Sequence, residues 1–164
     1  MQMEGGTITF RKFNGEVLEN VEEYVKNYCL EHKNNIDIIV ATDSQNKGSK
    51  TTYSTVIGMY DRGDGEHGHG AHCIFRRWKT DRERVRNTRL LNEVAASIEI
   101  AQKLVAAGCP RPKFIDIDIN PNPKFKSNEV YSAAKGWVEG LGYEVRFKHL
   151  GPMFTYVADW LVKA

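Results

Sequence analysis

Four acidic residues stand where a carboxylate is costly unless something cationic meets it: Asp43, Glu93, Asp118 and Asp159. Asp43 closes the run 36–43 (IDIIVATD), whose nearly continuous apolar character is that of a strand covered on both faces. An aspartate at that place serves either a bound cation or an Asx-turn. In 114–120 (FIDIDIN), Asp116 and Asp118 alternate with Ile115, Ile117 and Ile119, so both carboxylates project from one face of a strand. Side by side they repel unless compensated. Asp118 lies nearer the C-terminal end, where ligand sites of α/β sheets collect, and is the favoured one. Asp116 is an auxiliary candidate or part of an ordinary polar face. Glu93 shares its side of a long helix with Leu90, Ser97 and Ile100, bordering the sheet-facing stripe, whereas Glu99 shares the solvent side with Asn92 and Lys103. Asp159 sits in a final helix beside the small Ala158, which permits close approach to a sheet; alone it reads as a surface aspartate.

Hard divalent cations take oxygen ligands, and phosphoryl transfer commonly uses two of them about 3.5–4 Å apart. Four carboxylates drawn from four separate elements are the donor set for such a pair. The expected cofactor is therefore Mg²⁺ or Mn²⁺, two ions, with Asp43, Glu93, Asp118 and Asp159 as metal ligands and catalytic groups.

The elements that must position these acids follow from periodicity. A short strand over 7–13 and an amphipathic helix over 18–32 lead the chain. Strands over 36–43, 51–60 and 71–79, joined by a polar turn at 45–50 and a glycine-rich turn at 61–70, form an antiparallel meander. Thr80 and Glu83 read as a capping box opening a helix of roughly 25 residues, about 40 Å long, that ends at Gly108 ahead of Pro110 and Pro112. Then follow a strand over 114–120, a helix near 127–141, a strand over 143–149 and a helix from about 154. The expected fold is α/β: a mixed five-stranded sheet flanked by helices, with an extra N-terminal helix. One domain is expected over 1–164, with 1–35 as an extension and 36–164 as the core.

Charge is unevenly placed. Residues 76–89 hold seven basic side chains (Arg76, Arg77, Lys79, Arg82, Arg84, Arg86, Arg89) against two acidic ones, a footprint for a polyanion or a solvated face. Positive charge at a helix start opposes the helix dipole, which favours a binding role. Trp78 within this stripe serves base stacking or packing. Lys124 and Lys126, just before a helix, are further phosphate candidates or part of a solvated loop. The three cysteines are far apart and form no CxxC, which argues against a disulfide framework or zinc knuckle. His67, His69 and His72 (HGHGAH) have metal-like spacing but no firm fourth ligand, so a hairpin tip is the preferred reading. No apolar run approaches the ~20 residues that span a bilayer, and the first residues lack the order of a secretory signal; a cytoplasmic location is expected.

Thr42-Asp43-Ser44-Gln45, Arg89-Leu90-Leu91-Asn92-Glu93-Val94, the stretch 117–128 (IDINPNPKFKSN) and Val157-Ala158-Asp159 together carry a resemblance. From about Ile36 onward the chain resembles the ribonuclease H-like superfamily, and within it the bacterial YkuK-type family. The resemblance implies a ribonuclease H-like fold and a D-E-D-D acidic set at Asp43, Glu93, Asp118 and Asp159. It also implies phosphodiester hydrolysis with Mg²⁺ or Mn²⁺ on RNA, DNA or a hybrid. Proofreading exonucleases carry Asp-x-Glu on the first strand; Asp43-Ser44-Gln45 departs from that branch. His149 falls in the loop where members of the superfamily can place a histidine that assists proton transfer. The alternative is a non-catalytic nucleic-acid-binding module on the same fold.

Overall fold

The structure, a computed structural model, describes residues 9–63, 70–119, 124, 130–147 and 154–163. Two short strands, β1 (Phe10–Arg11) and β2 (Val17–Leu18), precede helix α1 (Val21–Glu31). The meander follows as β3 (Ile36–Lys47), β4 (Lys50–Asp61) and β5 (Ala71–Asp81). Helix α2 (Arg86–Ala106), strand β6 (Phe114–Ile117), helix α3 (Tyr131–Gly140), strand β7 (Glu144–Phe147) and helix α4 (Thr155–Lys163) complete the order. All seven strands join one sheet in the order β2-β1-β5-β4-β3-β6-β7. The β3–β4 and β4–β5 pairings are antiparallel, and β3–β6 and β6–β7 are parallel.

Each face of the sheet is buried by different helices. Ile38 and Val40 of β3 pack with Val25 and Cys29 of α1 and with Ile100 and Leu104 of α2. Leu90, Val94, Ile98 and Ala101 of α2 pack with Ile115 and Ile117 of β6 and with Ala134 and Val138 of α3. On the opposite face, Ala158 and Leu161 of α4 cover Val56, with Phe75 and Phe154 alongside. Gly58 lacks a side chain where the Phe154 ring sits: a β-carbon there would lie 2.5–2.7 Å from ring atoms. Helix α2 ends as expected at Gly108 (φ +88°), whose amide donates to Val105 O while Cys109 donates to Leu104 O, closing the last carbonyls.

Several expectations are corrected. The sheet has seven strands rather than five, because two-residue strands at residues 10–11 and 17–18 extend it beyond β5. The first central strand does not end at Asp43; β3 runs on to Lys47, since Ser44–Lys47 pair with Lys50–Tyr53 despite their polarity. Thr80 does not cap α2. It stays in β5 opposite Thr51, its hydroxyl donates to Asp81 O, and α2 begins five residues after Asp81 with no side-chain cap. Strand β6 stops at Ile117, short of the expected 120, and β7 begins at Glu144 rather than 143; the expected helix start near 127 and the strand end at 148–149 lie outside the described residues.

Candidate acidic site

Parallel pairing sets the site. Ala41 of β3 registers with Asp116 of β6, so two residues further on Asp43 comes level with Asp118, just past the end of β6. Beyond Ala41 the edge of β3 is no longer paired to β6. Side chains alternate along β3: Thr42 and Ser44 turn toward α2, where Thr42 Oγ1 bonds Ser97 Oγ at 2.7 Å and Thr55 Oγ1 at 2.9 Å. Asp43 turns to the α4 face, where it meets the carboxyl groups of Asp118 and Asp159.

Burial and mutual repulsion dominate the electrostatics of Asp43 and Glu93. Asp43 is only 6% exposed. Burial first, then the charge of Asp118 and contact with Asp159, push its pKa up to about 8, against an opposing hydrogen bond from the Ser44 amide. Glu93 approaches from the α2 side. Its carboxyl accepts the Ser44 hydroxyl at 2.5 Å, and burial and the charge of Asp43 hold its pKa well above the usual range. Arg89 opposes that rise; its Nη1 donates to Ser44 Oγ at 2.8 Å and to Ser44 O at 3.1 Å. Opposite Asp43 in the β3–β4 register lies Ser54, wholly buried, with its Oγ unpartnered among the described residues. Asp159 also pairs with Lys163 one turn on, at 2.8 Å.

Asp43, Asp118 and Asp159 thus meet on one face of the sheet, and Glu93 stands behind them under Ser44. As they stand, no three ligand-type side chains among the described residues enclose a cation-sized point. The donor chemistry nonetheless fits a hard divalent ion: every group is a carboxylate, Asp43 and Glu93 are buried while Asp118 and Asp159 are half-buried, and a polar atom beside them, Ser54 Oγ, lacks a partner among the described residues.

Asp116 has another role. Its carboxylate is gripped by Arg146 through Nε at 2.7 Å and Nη2 at 2.8 Å, and it accepts the Phe154 amide at 2.9 Å. Alternation placed it on the face of Asp118; the arginine that claims it comes from β7, which no local pattern announces.

The basic stripe is split by the sheet. Arg76, expected on the nucleic-acid surface, is instead 6% exposed, with its guanidinium over the rings of Trp78 (4.7 Å) and Phe10 (5.7 Å). Trp78, 5% exposed, stacks on Tyr53 and has no free face for a base. Both side chains point toward α2 because even-numbered positions of β5 face inward there. Arg77 and Lys79 lie on the α4 face and are exposed, as are Arg82, Arg84, Arg86 and Lys124. Arg82 is tied to Gly48 O at 2.8 Å. Arg89 turns inward to the acids rather than outward. His72 is engaged with Tyr24 OH at 2.7 Å and stacked on Tyr28. Lys126, His149, His67, His69 and most of the stretch 117–128 lie outside the described residues.

A mixed sheet opened by a three-stranded antiparallel meander, continued by parallel strands and covered by helices on both faces, is a ribonuclease H-type arrangement. The family model for ribonuclease H-like proteins matches residues 16–163, and the chain belongs to that family. No curated protein matches the chain. No helix among the described residues is long and apolar enough to cross a membrane.

Proposed function

We propose that this chain is a divalent-metal-dependent nuclease that hydrolyses phosphodiester bonds of nucleic acid with two Mg²⁺ or Mn²⁺ ions held by Asp43, Glu93, Asp118 and Asp159. The observation that carries the reading is the gathering of Asp118 and Asp159 around a buried Asp43, whose pKa burial first, and then these two neighbours, drive up to about 8. Carboxyl groups assembled against their own repulsion are a functional arrangement more than a packing one. Such ions, when bound, polarise a phosphoryl oxygen and lower the pKa of attacking water.

The chain's own contributions are specific. Asp43 on β3 and Asp118, just past the end of β6, provide the central oxygens, and α4 brings Asp159 to them. Ser44 and Arg89 orient Glu93 and keep part of its negative charge available. Raised carboxyl pKa values mean that protons leave as a cation enters, so affinity rises with pH.

Calorimetry with Mn²⁺ on the wild type and on an Asp43→Asn, Asp118→Asn double variant of unchanged circular dichroism tests this reading. Loss of binding in the variant is expected, together with loss of cleavage across single-stranded, duplex and hybrid substrates. Cleavage retained by the folded variant would overturn the reading. Equal Mn²⁺ binding by the two proteins would leave the family's fold acting as a nucleic-acid-binding module.

A further inference from the structure

On the α4 face the meander runs past the acids and builds a second feature. The cross-strand row through Asp43 continues as Ser54 and Arg77. The next row on that face, two residues along β3 and so about 7 Å away, is Gln45, Thr52 and Lys79. With Lys47, and with Val162 and Lys163 at the end of α4, these residues line a cleft of about 380 Å³. Four of its lining side chains are cationic and none is acidic. Lys47 and Lys79 are exposed and have no ion-pair partner among the described residues. Arg77 is fixed by donating Nη1 to Leu161 O at 3.0 Å, which leaves its other nitrogens to a ligand. Lys163 joins the cleft to the acids through its pair with Asp159.

Like charges collected in a concavity repel, and an anionic ligand relieves that repulsion. The neutral Gln45 amide and Thr52 hydroxyl are donors of the kind that meet phosphate oxygens. We infer that this cleft is a phosphate-binding subsite for the backbone of a nucleic-acid strand, holding a phosphate next to the one presented to Asp43 and Asp118. The neighbouring reaction rests on the nuclease reading; binding in the cleft does not. The cations reach the acids from one side along β3, so the strand is held on the β4–β5 side of the reacting position.

The test is fluorescence anisotropy of labelled single-stranded DNA, single-stranded RNA and RNA–DNA hybrid with chelator present, so that no cleavage intervenes. It compares wild type, a Lys47→Glu, Lys79→Glu variant and a Lys26→Glu, Lys103→Glu control on the α1–α2 side. The cleft variant is expected to lose at least about tenfold in affinity, and its salt dependence to become shallower by about one or two counterions. The control is expected to stay within about twofold of wild type. Equal losses in both variants, no loss in the cleft variant, or no binding of any of the three ligands by wild type would each overturn the inference. Mn²⁺ calorimetry on the same cleft variant reads the acids separately. A cleft effect without wild-type Mn²⁺ binding would overturn the nuclease reading and leave the subsite standing; Mn²⁺ binding without a cleft effect would do the reverse.

Discussion

Asp116 and Arg146, opposite one another on the parallel strands β6 and β7, form a two-pronged ion pair at 2.7 and 2.8 Å, and the same carboxylate accepts the first described amide of the α4 segment, that of Phe154. The pair pins the head of the helix that carries Asp159. Removing one partner leaves Arg146 facing an uncompensated recess, a loss of about 3 kcal/mol or more for a buried pair. Asp116→Ala is therefore expected to lower the melting temperature by roughly 6–12 °C and to weaken Mn²⁺ binding, although Asp116 is not itself a proposed ligand. A variant that melts with the wild type would show that α4 is docked by its apolar contacts alone.

The raised pKa of Asp43 fixes the sign of a pH effect. Its carboxyl titrates near 3.8 when unfolded and at about 8 when folded, so between these values the folded state holds the extra proton. Without metal, the contribution of Asp43 to stability is highest at low pH, falls as pH climbs from about 4 toward about 8, and levels off beyond. Thermal melts in chelator from pH 5 to pH 9 are expected to show that decline in the wild type. They should show less of it in Asp43→Asn, which ought to be the more stable protein at the alkaline end. Added Mn²⁺ should reverse the order there. Parallel melting curves for the two proteins at all pH values would contradict the assigned environment of Asp43.

Gly58 is required by its neighbour. A β-carbon at Gly58 would meet the Phe154 ring at 2.5–2.7 Å, so Gly58→Ala must push the start of α4 off β4. A cost of about 1–3 kcal/mol is expected, in the range of overpacked cores, together with weaker Mn²⁺ binding as Asp159 moves. Phe154→Ala should relieve the clash, making the double variant more stable than the two single effects sum to. Strict additivity would mean that the ring and the glycine are not in contact.

What the sequence discloses here is what one element can dictate alone. The apolar run to Asp43, the alternation through Asp118, the stop at Gly108 and the separation of buried Glu93 from exposed Glu99 all follow from local periodicity. The misread features depend on a partner far along the chain. Ser44–Lys47 are polar enough for a turn, but pairing with β4 keeps them extended. Thr80 has a capping-box signature, yet its place opposite Thr51 in the β4–β5 ladder holds it in the strand. The seven basic residues look alike in a charge count. Strand alternation sends Arg76 inward and Arg77 outward, and the register of β5 on β4, Arg76 opposite Thr55 and Arg77 opposite Ser54, decides which is which.

Arg76 offers the sharpest contrast with the cleft. Its guanidinium lies over Trp78 and Phe10, its Nε has no partner among the described residues, and burial lowers its pKa while Glu99 partly offsets that effect. A methionine of similar length would forfeit cation–π contacts of about 0.5–2 kcal/mol but would also remove the cost of burying a charge. Arg76→Met is therefore expected to fold with stability within about 2 kcal/mol of wild type and to bind nucleic acid as wild type does. Lys79→Glu, three residues along the same strand but on the other face, is expected to bind more weakly with unchanged melting. Urea unfolding and the anisotropy assay on the two variants separate the cases. If Arg76→Met lost affinity as Lys79→Glu does, the inward face of β5 would have to open on binding, and the division of the basic stripe by the sheet would be wrong.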